Sequence, residues 1–187
     1  ATGREVRLQA PVVVLAMVSI GLTLWVTWKL EGGAAAVNEA GRLRMYTVRM
    51  ALALETHDTE RLQTLTKDFD NSLELLSLGT SMRPLFVPWS DDARARFEEL
   101  RQQWAGLRHD WTGPTHPDTL TLVAQADRFV GSVNRFVDAI EAQISRWTAA
   151  LHVFQIFMMG MAVVASAVFM TMSFLLVLAP ISRMQQA

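Results

Sequence analysis

Apolar residues follow two patterns along this sequence: long unbroken runs near the ends, and helical stripes between them. The first run, Leu8 to Trp28, contains 21 positions without a charge. A helix of that length spans about 31 Å, close to the thickness of the hydrocarbon core of a bilayer. The second run, Trp147 to Ser182, contains no acid, lysine or arginine. These runs predict two transmembrane helices, which we assign to residues 8–29 and 149–179.

The residues that flank the first run predict its orientation. Arg4 and Arg7 precede it, and Trp25 and Trp28 lie at its far end. Basic residues favour the cytoplasmic side of a membrane and tryptophans favour the interface, so residues 1–7 are expected in the cytoplasm. A cleaved signal peptide is the alternative, but the tryptophans and Lys29 make a poor small-residue cleavage site. The segment 30–148 is therefore expected outside the membrane, on the far side.

Helical periodicity predicts four helices in this outer segment and no strand. The first continues the membrane helix to about Glu55, and Gly32 and Gly33 mark a point where an irregularity would be tolerated. The others begin at cap residues near Asp58, Ser90 and Asp118, the last one entering the second apolar run without a breaker. The prediction is an all-α, up-down-up-down four-helix bundle whose first and last helices continue into the transmembrane helices.

Three apolar stripes predict the core of this bundle. They lie on the second helix (Leu62, Leu65, Phe69, Leu73 and Leu76), the third (Ala93, Phe97, Leu100, Trp104 and Leu107) and the fourth (Leu122, Ala126, Phe129, Val133, Phe136, Val137 and Ile140).

Composition narrows the possible chemistry. The chain has no cysteine and a formal charge of −1, and neither value favours a thiolate metal site or nucleic acid. No two of the four histidines are three or four residues apart, and HExxH is absent. We therefore expect no catalytic residue, no metal and no cofactor.

One arginine in the first helix stands out because the helix supplies no counter-ion for it. Arg44 has no acid three or four residues away, whereas Arg42 has Glu39 at i−3 and is expected to form a solvated surface pair with it. Gly41 costs about 1 kcal/mol relative to alanine inside a helix, which indicates the close approach of a second backbone. Arg44 shares its face with small and apolar positions: Val37, Ala40, Gly41, Thr47, Val48 and Ala51.

A short residue pattern in this stretch carries a family resemblance. It consists of Asn38, Ala40-Gly41, Leu43-Arg44-Met45 and Arg49, with Thr47 where the family tends to carry a serine. The pattern resembles the periplasmic ligand-binding box of nitrate/nitrite sensor histidine kinases of the two-component type. That family shares its sensor module with type IV pilus-type methyl-accepting chemotaxis transducers. The positions that depart from the family pattern are Glu39, Arg42, Tyr46 and Val48.

The resemblance implies a ligand, a partner and a set of site residues. In that family the arginine matching Arg44 comes from both chains of a homodimer, and the two arginines bind one nitrate ion between them. The resemblance implies a nitrate or nitrite ligand here. We expect the ligand to meet Arg44, Gly41, Ala40, Val37 and Val48. The supporting residues are expected to be Asn38, Met45, Thr47 and Arg49.

The resemblance also implies a place in the cell and an output. The sensor domain is expected in the periplasm of a bacterium, with two passes through the inner membrane and both termini in the cytoplasm. Residues 180–187 resemble the start of a HAMP linker, with Pro180 following the last membrane turn. A histidine kinase domain and its response regulator are expected beyond this sequence. A chemotaxis transducer, or a structural bundle that only dimerises and binds no small molecule, remain as alternatives.

Overall fold

Four helices contain most of the residues that the structure, a computed structural model, describes. It describes residues 2–80, 85–115 and 117–174, with side chains for 14–80, 85–115, 117–172 and 174. No strand occurs in these ranges, so the predicted all-α fold class is confirmed. The helices are α1 (Thr2–Glu55), α2 (Thr59–Leu78), α3 (Asp91–Thr112) and α4 (Thr119–Ser173).

Side-chain caps fix where α2 and α3 begin. Asp58 Oδ1 accepts a hydrogen bond of 3.0 Å from the backbone N–H of Arg61, and Ser90 Oγ accepts one of 3.1 Å from that of Ala93. Each cap satisfies a backbone donor that has no partner inside its helix. Both predicted starts are confirmed.

Two further residues set the next boundaries. Gly79 ends α2 with a φ of 70°, and a Cβ there would lie 2.8 Å from the carbonyl oxygen of Leu85. Asp118 precedes α4 and accepts from the backbone N–H of Thr121 at 3.4 Å. Hydrogen bonds from the side chain and the backbone of Thr121 lower the pKa of Asp118 below its usual value.

Side-chain contacts show that successive helices run antiparallel between residues 27 and 147. As each helix is followed towards its C-terminus, its contacts move towards the N-terminus of the next helix. This order gives the predicted up-down-up-down bundle. The contacts are Glu39–Ser72 and Met50–Thr66 for α1 and α2, Phe69–Trp104 together with the cavity that Leu62 and Trp111 both line for α2 and α3, and Glu99–Arg135 and Trp111–Gln125 for α3 and α4.

An aromatic cluster holds three of the helices together at the centre of the bundle. Phe69 of α2 is fully buried, and its ring centroid lies 4.1 Å from that of Trp104 on α3 and 5.7 Å from that of Phe129 on α4. The three predicted core stripes are buried in full, and Trp111 joins them. Helix α1 contributes Ala36, Ala40, Leu43, Tyr46 and Met50 to the same core.

The chain divides into two compact units. One comprises Thr27–Trp147 and contains the bundle; the other comprises Ala1–Val26 and Thr148–Ala187. Among the described residues, two helical stretches are long and apolar enough to cross a membrane, Val14–Glu55 and Thr119–Met172. Large apolar side chains in the second unit are exposed, which suits contact with lipid. Residues 175–179 of the second predicted span and the HAMP start at 180–187 lie outside the described residues.

Side chains from distant parts of the chain pack on the glycine pair in α1. The helix is regular through Gly32 and Gly33. A Cβ at Gly32 would lie within the ring of Phe86, and one at Gly33 would lie 2.8 Å from Ile144 Cδ1. These glycines therefore allow neighbouring side chains to pack directly on the helix backbone, and the irregularity that they would tolerate is not present.

Truncating the centre of the aromatic cluster should destabilise the bundle. Phe69→Ala removes a fully buried ring that packs on two others, and such changes cost about 3–5 kcal/mol. Leu78→Ala, also on α2 but with 76% of the side chain exposed, should change the free energy of unfolding by about 0.5 kcal/mol or less. Thermal unfolding of the detergent-solubilised chain, followed by tryptophan fluorescence, measures both. Equal melting temperatures for the two variants would show that the cluster is not the centre of the core.

Candidate functional site

Arg44 lies on the outer face of α1, where its guanidinium is exposed in the single chain. Its Nη1 donates a hydrogen bond of 3.0 Å to Oδ1 of Asn134 on α4. Within the described residues Arg44 has no carboxylate partner. An amide oxygen orients the guanidinium and leaves its charge uncompensated. Asn134 is 90 residues away in sequence, so no local pattern could have predicted this contact.

Gly41 makes room for the same side chain. A Cβ at Gly41 would lie 3.3 Å from Nη2 of Arg44, and beyond the adjoining residues and backbone of α1 no other atom of the described residues would lie within 4 Å of it. The guanidinium therefore folds back over the helix surface at the glycine. Within this chain the close neighbour of Gly41 is the side chain of Arg44, whereas the glycine was expected to mark the close approach of a second helix backbone.

The predicted site residues separate into two groups. Val48 is 59% exposed and Met45 38% exposed, and Asn38 and Arg49 are exposed as well, while Val37 is half-buried. Ala40 and Thr47 are fully buried instead. Thr47 uses its hydroxyl to donate to the carbonyl of Leu43 at 2.8 Å.

The burial of Ala40 and Thr47 has a helical cause. Both residues lie on the side of α1 that packs into the core with Leu43 and Met50. A ligand on the outer face of this chain cannot reach Ala40, so we remove it from the predicted ligand-contacting residues; Thr47, predicted as a supporting residue, is equally buried.

Arg42 and Glu39 form the predicted pair, with an N–O distance of 3.1 Å, but the pair is not a solvated one. Glu39 is only 6% exposed and also accepts a hydrogen bond of 2.6 Å from Ser72 Oγ on α2. Arg42 Nη2 donates to the hydroxyl of Tyr46 at 2.6 Å. Partial burial acts to lower the pKa of Arg42, but the charge of Glu39 and the bond to Tyr46 outweigh it and raise the pKa. The pair therefore ties α1 to α2.

The two arginines line one open depression of about 500 Å³ on the surface of α1. At about 100° per residue, Arg42 and Arg44 lie about 200° apart around α1. Their long side chains bring both to the same depression. Its other lining residues are Ala34, Val37, Asn38, Gly41 and Met45.

A second open groove of about 540 Å³ lies between α3 and α4 and includes no predicted site residue. Arg135 on its wall pairs with Glu99 at 3.2 Å, so this cation is already compensated. In the described ranges, no group of three or more acidic, histidine or cysteine side chains could hold a metal ion.

Comparison with known proteins identifies the sensor segment. Residues 25–129 match the PilJ family model, described as "Type IV pili methyl-accepting chemotaxis transducer N-term". A search of curated proteins finds no match. The matched residues make up more than half of the chain and include the outer face of α1, all of α2 and α3, and the first turns of α4. This chain therefore belongs to the PilJ family of type IV pili methyl-accepting chemotaxis transducer N-terminal domains.

Proposed function

We propose that this chain is the sensory and membrane-spanning part of a homodimeric bacterial receptor that binds nitrate or nitrite through Arg44. The family match supports a sensing module without catalytic function. The anion, the homodimer and the transmembrane signal are the finer parts of the proposal, and each follows from a feature of α1.

The observation that carries the proposal is the state of Arg44. Its guanidinium is exposed, is oriented by the neutral Asn134, and lies over Gly41 in a shallow depression. The neighbouring Arg42, in contrast, is compensated by the buried Glu39. An exposed guanidinium without a carboxylate partner keeps its charge and its remaining hydrogen-bond donors for a small oxyanion.

A second copy of the chain would complete the site. Two Arg44 side chains facing each other across a two-fold axis repel, and the repulsion grows as water is excluded from the interface. A planar oxyanion accepts hydrogen bonds from both guanidinium groups and removes much of that repulsion. Binding therefore favours a closer approach of the two α1 helices.

The bond between Arg44 and Asn134 supplies a route for the signal. It connects α1 to α4, the two helices that also contain the apolar membrane-spanning candidates. An anion that draws Arg44 towards the partner chain weakens this bond and permits α1 to shift relative to α4. A small axial or rotational shift of one packed helix against another is a known means of switching.

The family match favours a chemotaxis transducer as the parent protein over the histidine kinase expected from the sequence. The structural alternative, a bundle that only dimerises, requires Arg44 to pair with an acid of a neighbouring helix. In the described part of the chain its partner is an amide instead, which favours the anion site.

We place the receptor in the bacterial inner membrane with both termini in the cytoplasm, on the basis of the flanking arginines and tryptophans.

The ligand assignment predicts a loss of nitrate binding in Arg44→Ala. A charge-assisted hydrogen bond contributes roughly 1.5–3 kcal/mol, and about 1.4 kcal/mol is a factor of ten in affinity. Removing both guanidinium groups of a dimer should therefore weaken binding by well over tenfold. Arg44→Lys should fail nearly as badly because an ammonium lacks the planar fork. Calorimetry on the detergent-solubilised chain with nitrate, nitrite, chloride and sulfate measures these effects.

A surface arginine on another helix provides the matched control. Arg101 on α3 pairs with Glu98 of its own helix at 3.5 Å and is exposed, so Arg101→Ala should leave nitrate affinity unchanged. Asn134→Ala keeps the charge and removes the bond that anion binding weakens, so its nitrate affinity should equal or exceed that of the wild type. Wild-type affinity in Arg44→Ala would refute the ligand assignment.

The topology is tested by labelling single cysteines in intact cells. The chain has no cysteine of its own, so each introduced thiol reports without background. Cysteines at Thr80 and Thr115 should react with a membrane-impermeant thiol reagent, and one at Gln186, outside the described residues, should not. Labelling at Gln186 alone would reverse the orientation.

A further inference from the structure

The outer face of α1 has the spacing of a helix–helix seam. Its exposed and half-buried residues alternate in steps of four and three, the repeat that places side chains on one side of a helix facing a partner helix. Met45, Val48 and Leu52 are 38%, 59% and 53% exposed although they are apolar. We call this set the α1 seam: Ala34, Asn38, Gly41, Met45, Val48 and Leu52.

The charges beside the seam have one sign. Between residues 34 and 54 the exposed charged side chains are Arg42, Arg44 and Arg49, and the sole acid, Glu39, is buried. On α4 the exposed Asp127 carries the opposite charge. Neither Arg49 nor Asp127 has an ion-pair partner among the described residues.

Contacts within the bundle show which residues of α1 and α4 stand at the same height. Glu55 accepts hydrogen bonds from Thr119, and Arg44 donates one to Asn134. Interpolation between these two contacts places Asp127 level with Arg49.

The two residues nevertheless point in different directions within one chain. At about 100° per residue, Arg49 lies about 140° around α1 from Arg44. Arg44 reaches α4, so Arg49 projects from the opposite flank of the seam, on the side of α2. An Arg49–Asp127 pair therefore cannot form inside the chain without rotating α1.

A two-fold axis parallel to the seam removes this obstacle. Such an axis keeps every residue at its own height and sets the α2 flank of α1 against the α4 side of the second copy. Arg49 of each copy then faces the partner's α4, where Asp127 lies two turns before Asn134 on the same face of the helix, and the contact occurs twice because the two copies exchange the same pair of surfaces.

We propose that Arg49 of each copy pairs with the partner's Asp127 across the α1 seam and so sets the register of the two copies. This inference rests on the parallel homodimer of the proposed function and adds the pair that aligns it. The pairing compensates Arg49 and leaves Arg44 as the uncompensated cation of the interface. The anion is thereby directed to Arg44.

Charge reversal in two separate chains tests the pairing. Arg49→Asp and Asp127→Arg each place like charges opposite each other in a homodimer and should prevent it. A mixture of the two variants restores both pairs, so heterodimers should exceed either homodimer at least tenfold. Native mass spectrometry of the full chains in detergent, carrying different tags, measures the distribution.

The matched control uses a pair that lies within one helix. Arg101→Asp and Glu98→Arg on α3 should each dimerise as the wild type does and mix without preference. Unimpaired homodimers of Arg49→Asp and Asp127→Arg would overturn the proposal, and so would a mixture that forms no excess of heterodimer.

Nitrate calorimetry on the wild-type chain separates this inference from the proposed function. If the wild type binds nitrate and the mixed variants form no heterodimer, the Arg49–Asp127 pairing is wrong and the ligand assignment stands. If heterodimers form and the wild type binds neither nitrate nor nitrite, the interface stands and the ligand assignment fails. A wild type that stays monomeric with and without nitrate refutes both.

Discussion

The burial of one side of α1 fixes the direction in which its other side points. Ala40, Leu43 and Met50 are fully buried against the other helices, with the aromatic cluster of Phe69, Trp104 and Phe129 beneath them. A helix anchored by such a stripe cannot rotate without exposing apolar side chains to water, at about 25 cal/mol for each Å². The α1 seam and Arg44 therefore face outward because the core does not permit another orientation.

Charge compensation divides the three arginines of α1 into different roles. Burial of Glu39 is tolerable because Arg42 and Ser72 supply its hydrogen bonds, and the same contacts attach α1 to α2. Arg44 receives only an amide partner and retains its full charge. An uncompensated cation on an apolar face is unfavourable once a second copy covers it, unless an anion enters with it. Ligand binding and dimer contact are coupled for this reason in the proposed receptor.

Much of the fold followed from local signals. Asp58 and Ser90 cap helices where their sequence context predicted, and the three apolar stripes of α2, α3 and α4 are all buried. Such features depend on residues within a few positions of one another, so a single sequence displays them. The packing role of the glycine pair Gly32–Gly33 could not be predicted in this way, because the side chains that pack on it, Phe86 and Ile144, come from distant parts of the chain.

The sequence by itself determined the helices, their order, the membrane candidates and the presence of one arginine without a local counter-ion. Only the tertiary structure decided which neighbours meet that helix. It placed Asn134 beside Arg44 and Ser72 beside Glu39, and it buried Ala40 and Thr47. Helical periodicity shows which residues share a face, but the side of the helix that the core covers depends on packing against elements distant in sequence. Apolar residues occur on both faces of α1, so the division of this helix into a buried and an outward face could be assigned only once all four helices were in place.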